Sequence, residues 1–393
     1  MDELGRVARA LADRIGRAVA IDDPRMHLIC HTAHGDDVDR HRIASIMRMR
    51  AADDVVAHAF AQGIAIAEGP VRVAGRPEIE LLPRVCFPVR CQGLLFGYLW
   101  IIEPPGGLSG DETRAAAEAA ADAGRVLFRD RLVDDLRDSR ERELLRDLIS
   151  DDPAVSSAAA DLLADEEMLP ATCSLAVLAV RMEGREDLRT TLHAALRRAG
   201  RRVTPSVSLA MARAGGHGVL LLAGRRPPPM ADLRAAAEQV REELERHGAE
   251  VRVGIGPVVD GPAHAPLSAR RAREALDVTC RVPGLGGVTA WDDLGVYRLL
   301  VQVPFDDDLI PAGLRTLLAA DHEGTLATTL ETWLEEGCDS RPTVARLQVH
   351  RTSLYYRLSR IEEITGLSLK SGGVRLDLHL GLKLARLQGL LDR

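Results

Sequence analysis

The sequence predicts a multidomain α/β protein that ends in an all-α module, and three observations carry that prediction. At 393 residues with 46% hydrophobic side chains, the chain is too long for one ordinary core and can bury more than one. Strand-like and helix-like segments alternate over residues 1–128 and again over 169–293. Within the remaining residues, 294–393, Arg341–Leu347 and Arg351–Thr365 read as two helices joined by a short break at Gln348–His350.

Residues 1–128 open with a helix over Leu4–Arg17. Strand-like runs follow at Ala18–Ile21 and His27–Thr32, joined by the turn Asp22-Asp23-Pro24-Arg25. A helix is expected over Asp39–Ala61, then strands at Ile64–Ala67, Arg84–Arg90 and Leu94–Ile102, with Gln92-Gly93 as a hairpin turn. The expected product is a sheet with one face free. Ser109 and Glu112 have the spacing of a capping box and open a long helix that runs through Leu127.

The residues from Gly124 to Ser150 are charged and helix-permissive, and 129–168 reads as a helical linker and candidate dimerisation segment. Their apolar members, among them Leu132, Val133, Leu136, Leu144 and Leu148, do not sustain a heptad repeat, so an amphipathic helix is favoured over a coiled coil. A break is expected near Asp151-Asp152-Pro153. Over 169–293, strands fit Cys173–Val180, Val207–Ala210, Gly218–Ala223 and Val251–Ile255. Helices fit Asp187–Ala199, Met230–His247 and Ser268–Val278, with Pro227-Pro228-Pro229 before the second and Gly248 stopping it.

Composition narrows the function classes. Six cysteines are scattered without a Cys-x-x-Cys pair, which fits a reducing compartment and predicts no disulfides. The N-terminus lacks a basic region followed by an apolar core, and no run reaches the ~18 apolar residues of a spanning helix, so a cytoplasmic protein without membrane contact is expected. His27, Cys30, His31 and His34 crowd four donors into a short stretch. On a strand, however, Cys30 faces away from His27 and His31, and residues four apart stand about 13 Å from each other. That spacing does not close a tetrahedral site, and neither a metal nor a cofactor is expected.

The two C-terminal helices carry the sharpest signal. In the second, Leu354, Leu358 and Ile361 recur at the spacing of one buried stripe. Stepping about 100° per residue places Thr352, Tyr356, Ser359 and Arg360 outward, with Ser353 and Tyr355 on the flanks. This is the shape of a helix-turn-helix DNA reader, with Arg351, Thr352, Ser353 and Tyr356 favoured for base contacts and Arg357 and Arg360 for phosphates. Val344, Ala345 and Leu347 of the first helix are expected to pack inward, and Leu376, Leu380, Leu384, Leu387 and Leu391 to roof the core.

A helical hairpin with a merely solvated basic face is the blander alternative, and charge distribution opposes it. Arg341–Arg393 holds ten Lys and Arg against four Asp and Glu, while the rest of the chain holds 41 against 54. A basic module on an acidic body is what phosphate neutralisation by one domain requires. Tyr355 and Tyr356 could also stack on unpaired RNA bases, but the compact basic two-helix spacing favours duplex DNA.

Val344-Ala345-Arg346-Leu347, the run Val349–Leu358 and Ile361–Leu367 together resemble the C-terminal helix-turn-helix of the PucR/CdaR family of bacterial regulators. That family's helix usually opens His-Arg-Asn-Thr-Leu-Arg-Tyr-Arg-Leu. The chain keeps His350, Arg351, Leu354, Tyr356, Arg357 and Leu358, and departs at Thr352, Ser353 and Tyr355. An Asn contacts adenine through two hydrogen bonds where Thr cannot, so the family's operator preference does not transfer.

The resemblance implies sequence-specific transcription control by a dimer. The order of elements in 1–128 resembles a GAF-type sensory domain, which implies a small-molecule effector between sheet and helices. The order in 169–293 resembles the degenerate, ferredoxin-like GGDEF cyclase domain found ahead of such readers. At the hairpin where an active cyclase carries acids, the chain reads Gly215-Gly216-His217-Gly218-Val219, and Arg181 stands where a metal-binding Asp is wanted. No enzyme activity is expected. The alternative reading is a signalling protein that still binds or converts a guanine nucleotide in this domain. Gly254-Ile255-Gly256 lacks the third glycine and the helix of a dinucleotide fingerprint.

Overall fold

The computed structural model describes residues 3–32, 39–184, 189–203, 207–213, 215–282, 284–304 and 306–391. The chain divides into two compact units, Met1–Ser139 and Arg140–Arg393.

The first unit runs α1 (Glu3–Ile15), β1 (Val19–Asp22), β2 (Leu28–His31), α2 (Arg40–Arg48), α3 (Asp53–Ala61), β3 (Val71–Val73), β4 (Arg84–Cys91), β5 (Leu94–Ile102) and α4 (Gly110–Leu148), whose last turns belong to the second unit. Its antiparallel sheet has the order β2-β1-β5-β4-β3. Strand alternation decides which side chains meet which helices. Val85, Phe87, Leu99 and Ile101 join Leu4, Ala8, Leu11 and the alanines of α4 in one core. Cys86, Tyr98 and Trp100 point the other way, onto Met26, Ala59, Ile64 and Val73.

Both faces of the sheet are therefore covered, which corrects the expectation of a free face. The single helix expected over Asp39–Ala61 is two, because Met49 turns left-handed (φ 55) and sends Arg50 to bridge His27. Ile64–Ala67 is a turn rather than a strand. Ile64 is buried as an anchor, and the carbonyls of Ala65 and Ala67 accept hydrogen bonds from the Arg90 guanidinium instead of a neighbouring strand. The Gln92-Gly93 turn holds as expected, with φ of 50° and 79°. So does the capping box: Ser109 N–H donates to Glu112 at 2.7 Å and Glu112 N–H to Ser109 Oγ at 3.2 Å.

The second unit continues with α5 (Pro153–Asp165), β6 (Ser174–Glu183), α6 (Arg189–Arg202), β7 (Val207–Ala212), β8 (His217–Gly224), α7 (Met230–Glu245), β9 (Glu250–Ile255), β10 (Val259–Asp260), α8 (Ala265–Arg281) and β11 (Val288–Ala290). The sheet order is β11-β9-β6-β8-β7, with β10 paired to β6. β6 is central and buried almost throughout: Ala176, Leu178 and Val180 face α6 and α7, while Leu175, Val177 and Ala179 face α5, α8 and the end of α4.

Gly254 and Gly256 explain themselves here. A Cβ at Gly254 would lie 2.2 Å from the Ala272 carbonyl oxygen, and one at Gly256 2.1 Å from that of Ser268, so both glycines let α8 press against β9. On the opposite edge, the buried Glu141 carboxylate accepts the Ala210 N–H of β7 at 2.8 Å, closing a site on an edge strand that water or another strand would otherwise take.

The chain ends with the short α9 (Tyr297–Leu300) and then α10 (Ala312–Ala320), α11 (Thr325–Glu335), α12 (Ser340–Leu347), α13 (Arg351–Thr365) and α14 (Gly372–Leu387). Leu314, Leu317, Leu330, Leu354, Ile361 and Leu382 are among the side chains of their common core. The expected roof holds in part: Leu384 and Leu387 are buried and Leu391 packs against the core, but Leu376 is 60% exposed, and Leu378, Leu382 and Ala385 complete the buried face of α14. The end of α14 packs on the middle domain, with Leu387 in a cluster with Ala275, Val278 and Tyr297.

Candidate nucleic-acid interface

The reader is built from α12, a three-residue break and α13. Asp339 caps α12 by accepting the Arg341 N–H at 2.8 Å, and Gln348 ends it in the left-handed conformation (φ 55). His350 then caps α13, its Nδ1 accepting the Thr352 N–H at 3.3 Å and lying 2.9 Å from Thr352 Oγ1. Gly366 closes the helix at φ 67.

Leu354, Leu358, Ile361 and Thr365 are buried, so the apolar stripe lies where the spacing puts it. Arg351, Thr352, Ser353, Tyr355, Tyr356, Ser359 and Arg360 are all exposed on the remaining surface of α13. Tyr356 is the most open aromatic of the helix at 74%. On α12 Val344 and Leu347 pack against the core as expected, but Ala345 is exposed and Thr343 is buried instead, its hydroxyl donating to the Asp339 carbonyl.

Several of these groups already have intramolecular partners. Arg351 Nη2 donates to the Tyr355 hydroxyl at 3.2 Å and its guanidinium lies 5.4 Å from that ring. Hydrogen bonds from Ser340 and Arg351 hold the Tyr355 phenol below the usual tyrosine value, which joins α13 to the start of α12. Arg360 pairs with Glu363 at 2.9 Å. Arg346, on α12, pairs with Glu335 and Glu336 at 2.9 and 3.0 Å. Exposed pairs of this kind contribute little and can be exchanged for phosphate.

Arg357 differs. It is half-buried, and its Nη1 donates to Thr329 Oγ1 of α11 at 3.1 Å. One edge of this guanidinium braces the reader against its own core. Sequence spacing gave no sign of Thr329 as its partner, since the two residues sit on different helices.

The middle hairpin also meets its expectation in detail. Gly216 is left-handed (φ 74), and a Cβ there would strike the Met182 carbonyl oxygen at 2.0 Å. His217 lies in register with Arg181, whose guanidinium pairs with Glu183 at 3.0 Å. Among the described residues no three His, Cys, Asp or Glu side chains converge as metal ligands. His27 is hydrogen-bonded to Asp23 and His31 to the Thr32 carbonyl, while His34 lies outside the described residues. Among those residues no helix is long and apolar enough to cross a membrane.

A capped two-helix reader behind a cyclase-like α/β domain without its acids defines a multidomain helix-turn-helix regulator. Residues 326–384 match the family model of the PucR C-terminal helix-turn-helix domain, and residues 158–278 that of a GGDEF-like domain. Over these two segments the chain is similar to the PucR-type transcriptional regulators. Among its relatives is the DNA-binding transcriptional activator AdeR of Bacillus subtilis (strain 168), 22% identical over 98% of this chain and 93% of that protein. The proline-responsive transcriptional activator PutR of the same organism is 23% identical over 81% of this chain and 79% of its own length. The purine catabolism regulatory protein, also from B. subtilis, is 41% identical over 38% of this chain and 28% of its own length.

Proposed function

We propose that the chain is a cytoplasmic, dimeric operator-binding regulator whose reader, residues 294–393, enters the major groove with α13. The observation that carries this reading is the outward surface of α13, polar and aromatic opposite a wholly buried stripe. Arg351, Thr352, Ser353 and Tyr356 are assigned to bases and Arg360 to phosphate. Ser359 borders the same surface. Tyr355 serves chiefly to shape the helix pair, and Arg357 contacts DNA only with the donors that Thr329 leaves free.

Residues 1–128 are assigned as a GAF-like sensor for a small molecule, residues 129–168 as the linker, and residues 169–293 as a ferredoxin-like, GGDEF-like domain without catalysis. The order β9-β6-β8-β7 around a βαββαβ run supports the middle assignment. The exposed Leu132, Val133 and Leu136 on α4 support the linker as a pairing segment for a second copy. A ligand that favours one dimer arrangement would shift how often two readers stand at half-site spacing.

The test is selection of bound genomic fragments by the purified chain beside a Tyr356→Ala/Arg360→Ala variant, at two salt concentrations. Thr352 is avoided because it also completes the α13 cap. Enrichment of a discrete inverted repeat by the parent alone supports the reading. Equal, sequence-blind binding that vanishes at the higher salt in both proteins sinks it.

A further inference from the structure

The cavity between the β1–β5 sheet and helices α2 and α3 is about 20 Å³ and incompletely closed. Since ~10–15 Å³ on this measure holds one water, it has room for one small polar head group. Asp22, Arg42, Arg84 and Trp100 line it, none more than 9% exposed. Buried charges are normally matched, and Arg84 is: its Nη2 lies 2.5 Å from Asp39.

Arg42 is not matched in that way. Its Nε and Nη2 are buried without a hydrogen-bond partner. The Trp100 indole N–H is directed at Asp22 and favours its charged form. Nε together with one Nη forms an edge of the guanidinium that fits the two oxygens of a carboxylate. Asp22, on the same wall, is an acceptor for a donor group carried beside that carboxylate.

We propose that this cavity is a receptor site for a small organic acid whose carboxylate pairs with Arg42 and whose neighbouring hydroxyl or ammonium donates to Asp22. The site rests on the effector reading above and gives that effector a chemical class. The small volume favours the shortest members; the half-buried His41 and Ser45 also line the cavity.

Calorimetric titration of the full chain with acetate, glycolate and glycine tests the proposal, using Arg42→Gln, Asp22→Asn and, as a control on the exposed side of α2, Arg48→Gln. Glycolate or glycine should bind at least about tenfold more tightly than acetate, the order of effect of one hydrogen bond to a charged group. Preference for glycine marks an ammonium and preference for glycolate a hydroxyl. Arg42→Gln should weaken binding by about tenfold or more, Arg48→Gln should not, and Asp22→Asn should erase the preference over acetate.

Absence of binding by all three probes, or equal binding by Arg42→Gln, overturns the site. Equal binding would leave Arg42 as a buried cation balanced by Asp22. If Arg42→Gln does not fold by circular dichroism, an unchanged preference in Asp22→Asn overturns it. Fragment selection on the same preparations separates the two readings. A parent that enriches an operator and answers to a molecule that Arg42→Gln binds equally well loses the carboxylate site but keeps its effector. Operator binding that no metabolite alters removes both.

Discussion

Glu331 of α11 and Arg386 of α14 form an ion pair with both side chains largely buried, and Lys383 joins it 3.1 Å from Glu331. The next residue, Leu387, leaves this core for that of the middle domain, where its carbonyl accepts from Arg281 at 3.3 Å. One turn of α14 therefore fastens the reader internally and fixes it to the GGDEF-like domain.

Glu331→Gln leaves Lys383 and Arg386 buried with too little negative charge, and should cost about 3 kcal/mol in denaturant unfolding of the chain. Burial raises the Glu331 carboxyl, but Arg386 and Lys383 outweigh it and hold it below the ordinary glutamate value. With the folded value depressed, the contribution is complete above the unfolded value of about 4.3 and is lost as pH falls through the folded one. The acid side of the stability profile should be flatter in the variant. A parent and variant with parallel profiles below neutral pH would show that the pair is energetically idle.

Asp22 should act in the opposite direction. Burial lifts its carboxyl to about 6, against the pull of Arg42. The folded chain then holds this proton more tightly than the unfolded one. Its contribution is greatest below the unfolded value of about 3.9 and declines as pH rises toward 6. Thermal unfolding at several pH values should show this decline in the parent and not in Asp22→Asn. Identical slopes would mean that the carboxyl is better solvated than its burial indicates.

Gly254→Ala should destabilise the middle domain by about 1–3 kcal/mol, because α8 must retreat from β9 to admit the new methyl. Ala272 and Leu276, which sit over that glycine, would lose core contacts with it. Urea unfolding reads the cost. A change within about 0.5 kcal/mol, the usual range for surface substitutions, would refute the close-approach explanation.

Arg357→Ala and Tyr356→Ala, adjacent on α13, should separate bracing from readout. Loss of the Arg357–Thr329 hydrogen bond should lower stability by about 1 kcal/mol as well as weakening DNA binding. Tyr356 is exposed, so its removal should leave stability within about 0.5 kcal/mol while reducing affinity for the selected operator. Melting curves and operator titrations of the two variants together would overturn the assignment if the stability losses were reversed.

The sequence by itself determined whatever depends on neighbours along the chain. Repetition every third or fourth residue decided that Leu354, Leu358 and Ile361 turn inward on α13. The Gln92-Gly93 turn and the Ser109–Glu112 box are local geometries, and both stand as their residues require. The missing acids at Gly215–Val219 were equally legible, since absence of a residue type needs no fold to detect. The tertiary structure alone decided what depends on partners distant in sequence. It broke the Asp39–Ala61 helix at Met49 so that Arg50 could bridge His27, covered the second face of the first sheet, and left Leu376 of α14 facing water while Leu378 and Leu382 took the core. It also committed Arg357 to Thr329 and left two nitrogens of Arg42 buried without a hydrogen-bond partner. Periodicity specifies which face of an element is apolar only while one face is being buried; where two faces are covered, or a charge is met from another helix, the outcome rests on packing and hydrogen bonding across the fold.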